Sequence, residues 1–295
     1  MKKLVYAVLP CSLLLAAPAR ACDICGCGVS NYNPYLFPHL SKSYIGLSYI
    51  SRSYRTFPID DAPSRETYRS ILLSGQYRVG KKLQLLALLP WQQNMLRSES
   101  GNRTLSGLGD ITLLAQYKVW DHSTEKVRHT VLAGAGLKLA TGRFTPAGTN
   151  KAADQNFQLG TGSTDYIVNG SYRISTGKWL FGAGGSYKYN TSNADGFRYG
   201  DVLNLSLLAA WRYEWANWSL LPYLQLSHEA LSRDADHNVL QRHSGGTVAY
   251  AGGGIDLSTR AITLGLNYQF AAGQHLADGQ ISAEPKFSAH ASFSF

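Results

Sequence analysis

From residue 43 onward the chain repeats stretches of about a dozen residues in which apolar and polar side chains alternate. Successive side chains of a strand point to opposite faces, so each stretch has one apolar face and one polar face. Over 261–271, Ile262, Leu264, Leu266, Tyr268 and Phe270 point one way, and Thr263, Gly265, Asn267 and Gln269 the other. Ile71, Leu73, Gly75, Tyr77 and Val79 separate in the same manner from Ser70, Leu72, Ser74, Gln76 and Arg78. The pattern predicts twelve strands, over 43–54, 67–79, 82–93, 108–120, 128–140, 164–175, 178–190, 200–213, 217–229, 246–257, 261–271 and 285–295. Their length and period suit strands that cross a membrane at a tilt. In the tenth, Gly252-Gly253-Gly254 interrupts the alternation and predicts a bulge or bend, which leaves the facing of Val248 and Tyr250 open.

Connections between the stretches alternate long and short, with 80–81 and 176–177 among the short ones and 141–163 the longest. Outer-membrane barrels have this arrangement, with short periplasmic turns, longer outer loops and both termini periplasmic. In the final stretch Phe287, Ala289, Ala291, Phe293 and Phe295 oppose Ser288, His290, Ser292 and Ser294. An open edge of this kind invites aggregation, whereas a closed barrel pairs it with the first strand. There Ile45, Leu47 and Tyr49 oppose Tyr44, Gly46 and Ser48. The expected fold is therefore all-β, a closed antiparallel transmembrane β-barrel of twelve strands over 43–295, with 285–295 joined to 43–54 and His290 facing the lumen. The aromatic last residue resembles the C-terminal signature of bacterial outer-membrane barrels, which implies the barrel assembly machinery as a partner.

Polar faces buried in lipid would cost several kcal/mol per unsatisfied group, so the apolar set faces lipid and the polar set the lumen. That places Asn169, Asn267 and His290 on a solute path. Tyr77-Arg78, Tyr117-Lys118, Tyr172-Arg173 and Trp211-Arg212 end the strands that run toward the short turns. Neighbours face opposite ways, so the aromatics form a lipid-side girdle while Arg78, Lys118, Arg173 and Arg212 line the mouth, either attracting anionic solutes or pairing with lumen acids such as Asp256. Trp120, Trp179, Trp215 and Trp218 lie near the same turns, and Tyr187 and Tyr189 mark the opposite girdle.

Lys2, Lys3, the apolar run Leu4–Ala17 and Ala19-Arg20-Ala21 read as a signal peptide over 1–21 with Cys22 as the first mature residue. Beyond it no apolar run reaches the roughly 20 residues of a membrane helix, so only strands could span. The formal net charge is +9; Lys2, Lys3 and Arg20 leave with the signal, and the rest forms no basic tract of the kind that binds nucleic acid. Cysteine is absent after Cys27. Within 22–42, a Cys-rich segment that is a candidate lumen plug, Cys22, Cys25 and Cys27 fit a soft-metal site for Cu(I) or Zn(II), a disulfide with one thiol left over, or lipidation at Cys22. His290 and Ser292 have the spacing of an outer-membrane phospholipase pair but share the inward face, and His243-Ser244 are adjacent rather than alternate, so no catalytic triad is predicted.

Gly107-Leu108-Gly109-Asp110-Ile111 and Phe157-Gln158-Leu159-Gly160-Thr161-Gly162-Ser163-Thr164-Asp165 carry a family resemblance. Over 107–175 the chain resembles the transporter-like outer-membrane barrels associated with phenol degradation, distant relatives of the long-chain fatty-acid transporter barrels. The resemblance implies passage of small, hydrophobic or aromatic molecules across the outer membrane. The residues leave two alternatives, a metal-handling barrel using Cys22, Cys25 and Cys27, and a structural or adhesive barrel. The motif glycines themselves read as turn and strand-start positions.

Overall fold

The computed structural model describes residues 42–57, 62–99, 101–145 and 157–295. The expected signal peptide, the three cysteines and all but Lys42 of the candidate plug lie outside the described residues. In chain order the first half holds β1 (Tyr44–Thr56), β2 (Ser64–Val79), β3 (Leu83–Ser98), β4 (Gly101–Leu108), β5 (Thr112–Ser123), β6 (Val127–Lys138) and β7 (Asp165–Thr176). β8 (Trp179–Tyr189), β9 (Phe197–Arg198), β10 (Val202–Trp211), β11 (Tyr213–Trp215), β12 (Trp218–Leu231), β13 (Ala235–Asp236) and β14 (Val239–Leu240) follow. The chain finishes with β15 (Gly246–Ser258), β16 (Ile262–Leu276), β17 (Ile281–Ala283) and β18 (Lys286–Ser294).

Twelve of these are the staves of a closed antiparallel barrel, in the order β1, β2, β3, β5, β6, β7, β8, β10, β12, β15, β16, β18 and back to β1. β4 lengthens the β5 stave and β17 the β18 stave, β11 tightens a turn against β12, and β9, β13 and β14 form a small sheet among the loops. The seam is the one expected. Tyr44 lies opposite Ser294, Ser48 opposite His290 and Ser51 opposite Phe287, and the Phe295 amide donates to the Ser43 carbonyl at 3.0 Å.

Each predicted stretch coincides with a stave, and the facing follows the alternation. Ile45, Leu47, Leu73, Leu264, Leu266 and Phe270 are exposed on the outer wall, where hydrocarbon would meet them, and Ser48, Ser74, Gln76 and Thr263 are buried inside. Two expectations are corrected. Residues 94–107, read as a loop, are mostly strand. β3 runs on to Ser98, and β4 returns along it from Gly101 opposite Ser98 to Leu108 opposite Trp91. Beyond the apolar band neither face must be apolar, so the ladder persists there on backbone hydrogen bonds without an alternating signature.

The second correction concerns the glycines of β15, which run straight, with Val248 and Tyr250 both buried inside. The register shift sits across from Ala249 and Tyr250, where Ala272 of β16 is the extra residue. A second shift passes over Val119 in β5. It turns Trp120 outward into the girdle and Asp121 inward, the reverse of what unbroken alternation would give. Pro90, inside β3, sits where β4 and β5 part. Its carbonyl accepts from the Gly109 amide at 2.9 Å, so its missing N–H falls on the side where the ladder is already broken.

The lumen as the candidate functional site

At the long-loop end the two glycine-rich segments come together around one lysine. Lys138, at the end of β6, reaches Asp110 at 2.8 Å and Asp165 at 2.7 Å, and all three side chains are at most 3% exposed. Lys138 Nζ also donates to Thr161 Oγ1 and to the Ser163 carbonyl. Asp110 accepts from the Gly142 and Thr161 amides at 2.9 Å each, and Asp165 from the Thr191 amide at 3.0 Å and the Ser163 hydroxyl at 2.9 Å. A burial this complete is tolerated because each carboxylate has several donors and the lysine has two counter-charges. The loop backbones touch here, since a Cβ on Gly160 would stand 2.7 Å from Asp110 Oδ1 and 2.8 Å from the Gly142 carbonyl. That close approach requires the glycine, as the conformational reading of the motif expected.

Below this latch, still in the long-loop half, the lumen is filled by Tyr54, Tyr68, Val248, Tyr250, Leu276 and Ile281. Lys286 Nζ lies 3.3 Å from the centre of the Tyr250 ring and donates to Glu229 at 2.8 Å. Tyr44, Leu72, Leu86, Leu88, Leu114 and Leu132 pack into one inward cluster on β1 to β6, and Leu180, Leu208, Ala210, Leu221 and Tyr223 into another on β8 to β12. The alternation had assigned Leu72 to a polar face, but the lumen in this half carries an apolar layer.

The glycines of β15 let side chains cross it. Tyr223 and Gln225 of β12 meet Asn267 and Gln269 of β16, with Asn267 donating to Tyr223 Oη at 3.2 Å and Gln269 to Gln225 at 3.0 Å. Gly252 and Gly254 are the inward positions between them. Gly265 does the same for Asp256 and His290, whose nearest atoms are 3.7 Å apart, beyond a direct hydrogen bond. His290 therefore faces the lumen, as do Asn267 and Asn169; Asn169 accepts from Gln116 at 2.9 Å. His243 pairs with Asp278 at 3.2 Å, and the Ser244 hydroxyl donates to the Gln241 carbonyl at 2.8 Å, so these neighbours are engaged separately.

All four expected cations point inward at the short-turn mouth, and Tyr77, Tyr117, Tyr172 and Trp211 beside them are exposed on the outer wall. Lys118 reaches Asp121 at 2.8 Å, and Arg128 reaches it at 3.0 Å. Asp121 lies past the girdle, and its hydrogen bonds from Arg128 first, and then from Lys118, hold its carboxyl well below the usual carboxylate range. Outside, Trp120 stacks on His129 at 5.3 Å, His129 meets Tyr172 Oη at 2.8 Å, and Trp179 meets Trp211 edge-on at 4.5 Å. Parts of the girdle are thus joined ring to ring. Lys138, Asp110 and Asp165, with the leucines of the lower lumen, are the site residues that alternation did not single out. The one available signal was a lone inward charge closing the small-residue stretch of β6.

Among solved structures the chain is similar to an outer-membrane channel from Pseudomonas putida F1, at 14% identity over 86% of this chain and 96% of that one, with a TM-score of 0.64. The β domain of the Bordetella autotransporter BrkA gives 13% identity over 86% of this chain and all of the other, with a TM-score of 0.49. At these identities the first likeness shows the barrel fold alone. No curated protein matches the sequence. The sequence signature of the family described as "Putative MetA-pathway of phenol degradation" matches residues 64–283, from β2 through β17, and so takes in the buried lysine latch, the apolar layer of the lumen and the cationic mouth. The chain belongs to that family.

Proposed function

We propose that this protein is an outer-membrane channel for the passive passage of small, hydrophobic or aromatic molecules, with its short turns and chain ends on the periplasmic side. The observation that carries this reading is the set of apolar clusters held on the inner face of a barrel whose other inward positions are polar. A neutral aromatic gains about 25 cal/mol for each Å² of apolar surface it moves from water against such leucines, whereas a hydrated ion or sugar loses hydrogen bonds there. An apolar lining therefore selects by desolvation. In the same reading a signal peptide over 1–21 exports the chain, Arg78, Lys118, Arg173, Arg212, Asn169, Asn267 and His290 border the solute path, and β18 is the strand the assembly machinery binds.

The test is the initial uptake of labelled toluene against labelled glucose by intact Gram-negative cells that express the protein. Toluene uptake should rise and glucose uptake should not. Leu86→Gln together with Leu208→Gln should erase that preference while the barrel keeps its heat-modifiable migration on gels. Equal gains for both solutes in the unaltered protein, or no gain for toluene, would sink the proposal.

A further inference from the structure

We infer that the outer wall at the long-loop end binds the phosphorylated headgroup of an outer-leaflet glycolipid, through Arg55, Arg65, Arg69 and Arg97. The inference rests on the orientation given with the channel reading, in which the long loops lie outside the cell. All four arginines are exposed, whereas Arg52, Glu66, Tyr68 and Asn94 on the same three strands are buried, so alternation turns the four outward. The register sets three of them side by side, with Arg55 of β1 opposite Arg65 of β2, and Arg65 opposite Arg97 of β3. Like charges directly opposite one another across a ladder are destabilising, and a bound anion removes that cost. Glu284 reaches Arg55 at 2.7 Å and Arg65 at 2.5 Å, yet the two arginine side chains stay 59% and 50% exposed. Glu99 marks the β3–β4 turn beyond Arg97, and Asp60 and Asp61 lie outside the described residues.

The level of these arginines fits a headgroup. Tyr49, Ile71, Trp91 and Leu108 lie opposite one another in turn across β1 to β4, all exposed on the outer wall. Rings such as Tyr49 and Trp91 sit where hydrocarbon gives way to headgroups. The next outward row, Ser51, Arg69, Gln93 and Ser106, is polar, so the apolar band ends between the two. Arg65 stands four residues beyond Arg69 along β2, about 13 Å at the rise of a strand. The cations therefore run from the edge of the hydrocarbon into the headgroup layer, and a lipid with more than one phosphate meets both ends. A guanidinium fork takes a phosphate through two parallel hydrogen bonds. Among the described residues the outward positions of β7, β8, β10 and β12 carry no lysine or arginine, so the site occupies one side of the barrel.

Binding of fluorescent diphosphorylated lipid A to the purified full barrel in micelles tests this, with dephosphorylated lipid A, phosphatidylglycerol and inorganic phosphate as competitors. Lipid A should bind, and none of the three should displace it at equal concentration. Arg69→Gln with Arg97→Gln leaves the Glu284 pairs intact and should weaken lipid A by about tenfold, whereas Arg69→Lys with Arg97→Lys should lose less. Without lipid, the glutamine variant should keep its heat-modifiable form up to the parent's temperature or above, because one of two opposed charges is gone. A lower temperature would assign the arginines to the fold instead of to a ligand. Equal competition by any of the three, or unchanged lipid A affinity in the glutamine variant, would overturn the site. Toluene uptake without lipid A binding would leave the channel standing without this site, and lipid A binding without toluene uptake would leave the site on a barrel whose channel reading had failed.

Discussion

Replacing Lys138 by methionine would leave the Asp110 and Asp165 carboxylates facing one another where water is excluded. The pair now shares one cation at 2.8 and 2.7 Å. Breaking a buried ion pair by removing one partner costs about 3–5 kcal/mol, most of it from the charge left behind. Lys138→Met should therefore lower the urea midpoint sharply, and adding Asp110→Asn should recover part of the loss. A shift no larger than that of an exposed lysine would mean that the latch contributes little. This cluster was hidden from the sequence because alternation assigns a side without assigning a partner. Leu72 shows the same limit from the other direction, since its period placed it correctly inside while its polar neighbours suggested the wrong chemistry.

At the scale of the strand, β15 shows what period alone can and cannot resolve. Three successive glycines look like a break, yet the ladder runs through them without a register shift, and Tyr223 and Gln225 reach over them to Asn267 and Gln269. A methyl group at Gly254 would run into the Leu266 carbonyl and the Tyr223 hydroxyl and ring. Gly254→Ala should cost about 1–3 kcal/mol through overpacking, read as a lower urea midpoint, whereas Gly273→Ala meets nothing within 4 Å and should be near neutral. Equal effects at the two positions would contradict the clearance role. The existence of all twelve staves, and the facing of their regular stretches, were legible, because lipid on one side and polar groups on the other enforce the period residue by residue. The irregularities at Val119 and Ala272 were not, since a bulge depends on how two ladders fit and leaves no compositional trace.

For the whole molecule, closure was legible from the alternating faces of the last and first strands, and the sorting of long loops from short turns was legible from lengths. The layering of the lumen was not. Which inward residues share a level depends on the tilt and stagger of the staves, so the grouping of Leu86 into one inward apolar cluster and of Leu208 into another could be assigned only after the ring was assembled. The seam carries a further consequence. The Phe295 amide reaches the Ser43 carbonyl at 3.0 Å, so the two ends of the barrel segment are neighbours on the short-turn rim. A chain circularly permuted there, with Phe295 linked to Ser43 by a short glycine-rich turn and reopened between Gly177 and Lys178, keeps every stave beside its present partners. It should show the heat-modifiable migration of the parent; a permutant that never reaches that form would show that the starting strand matters. The wall is a ring in space even though it is a line in sequence.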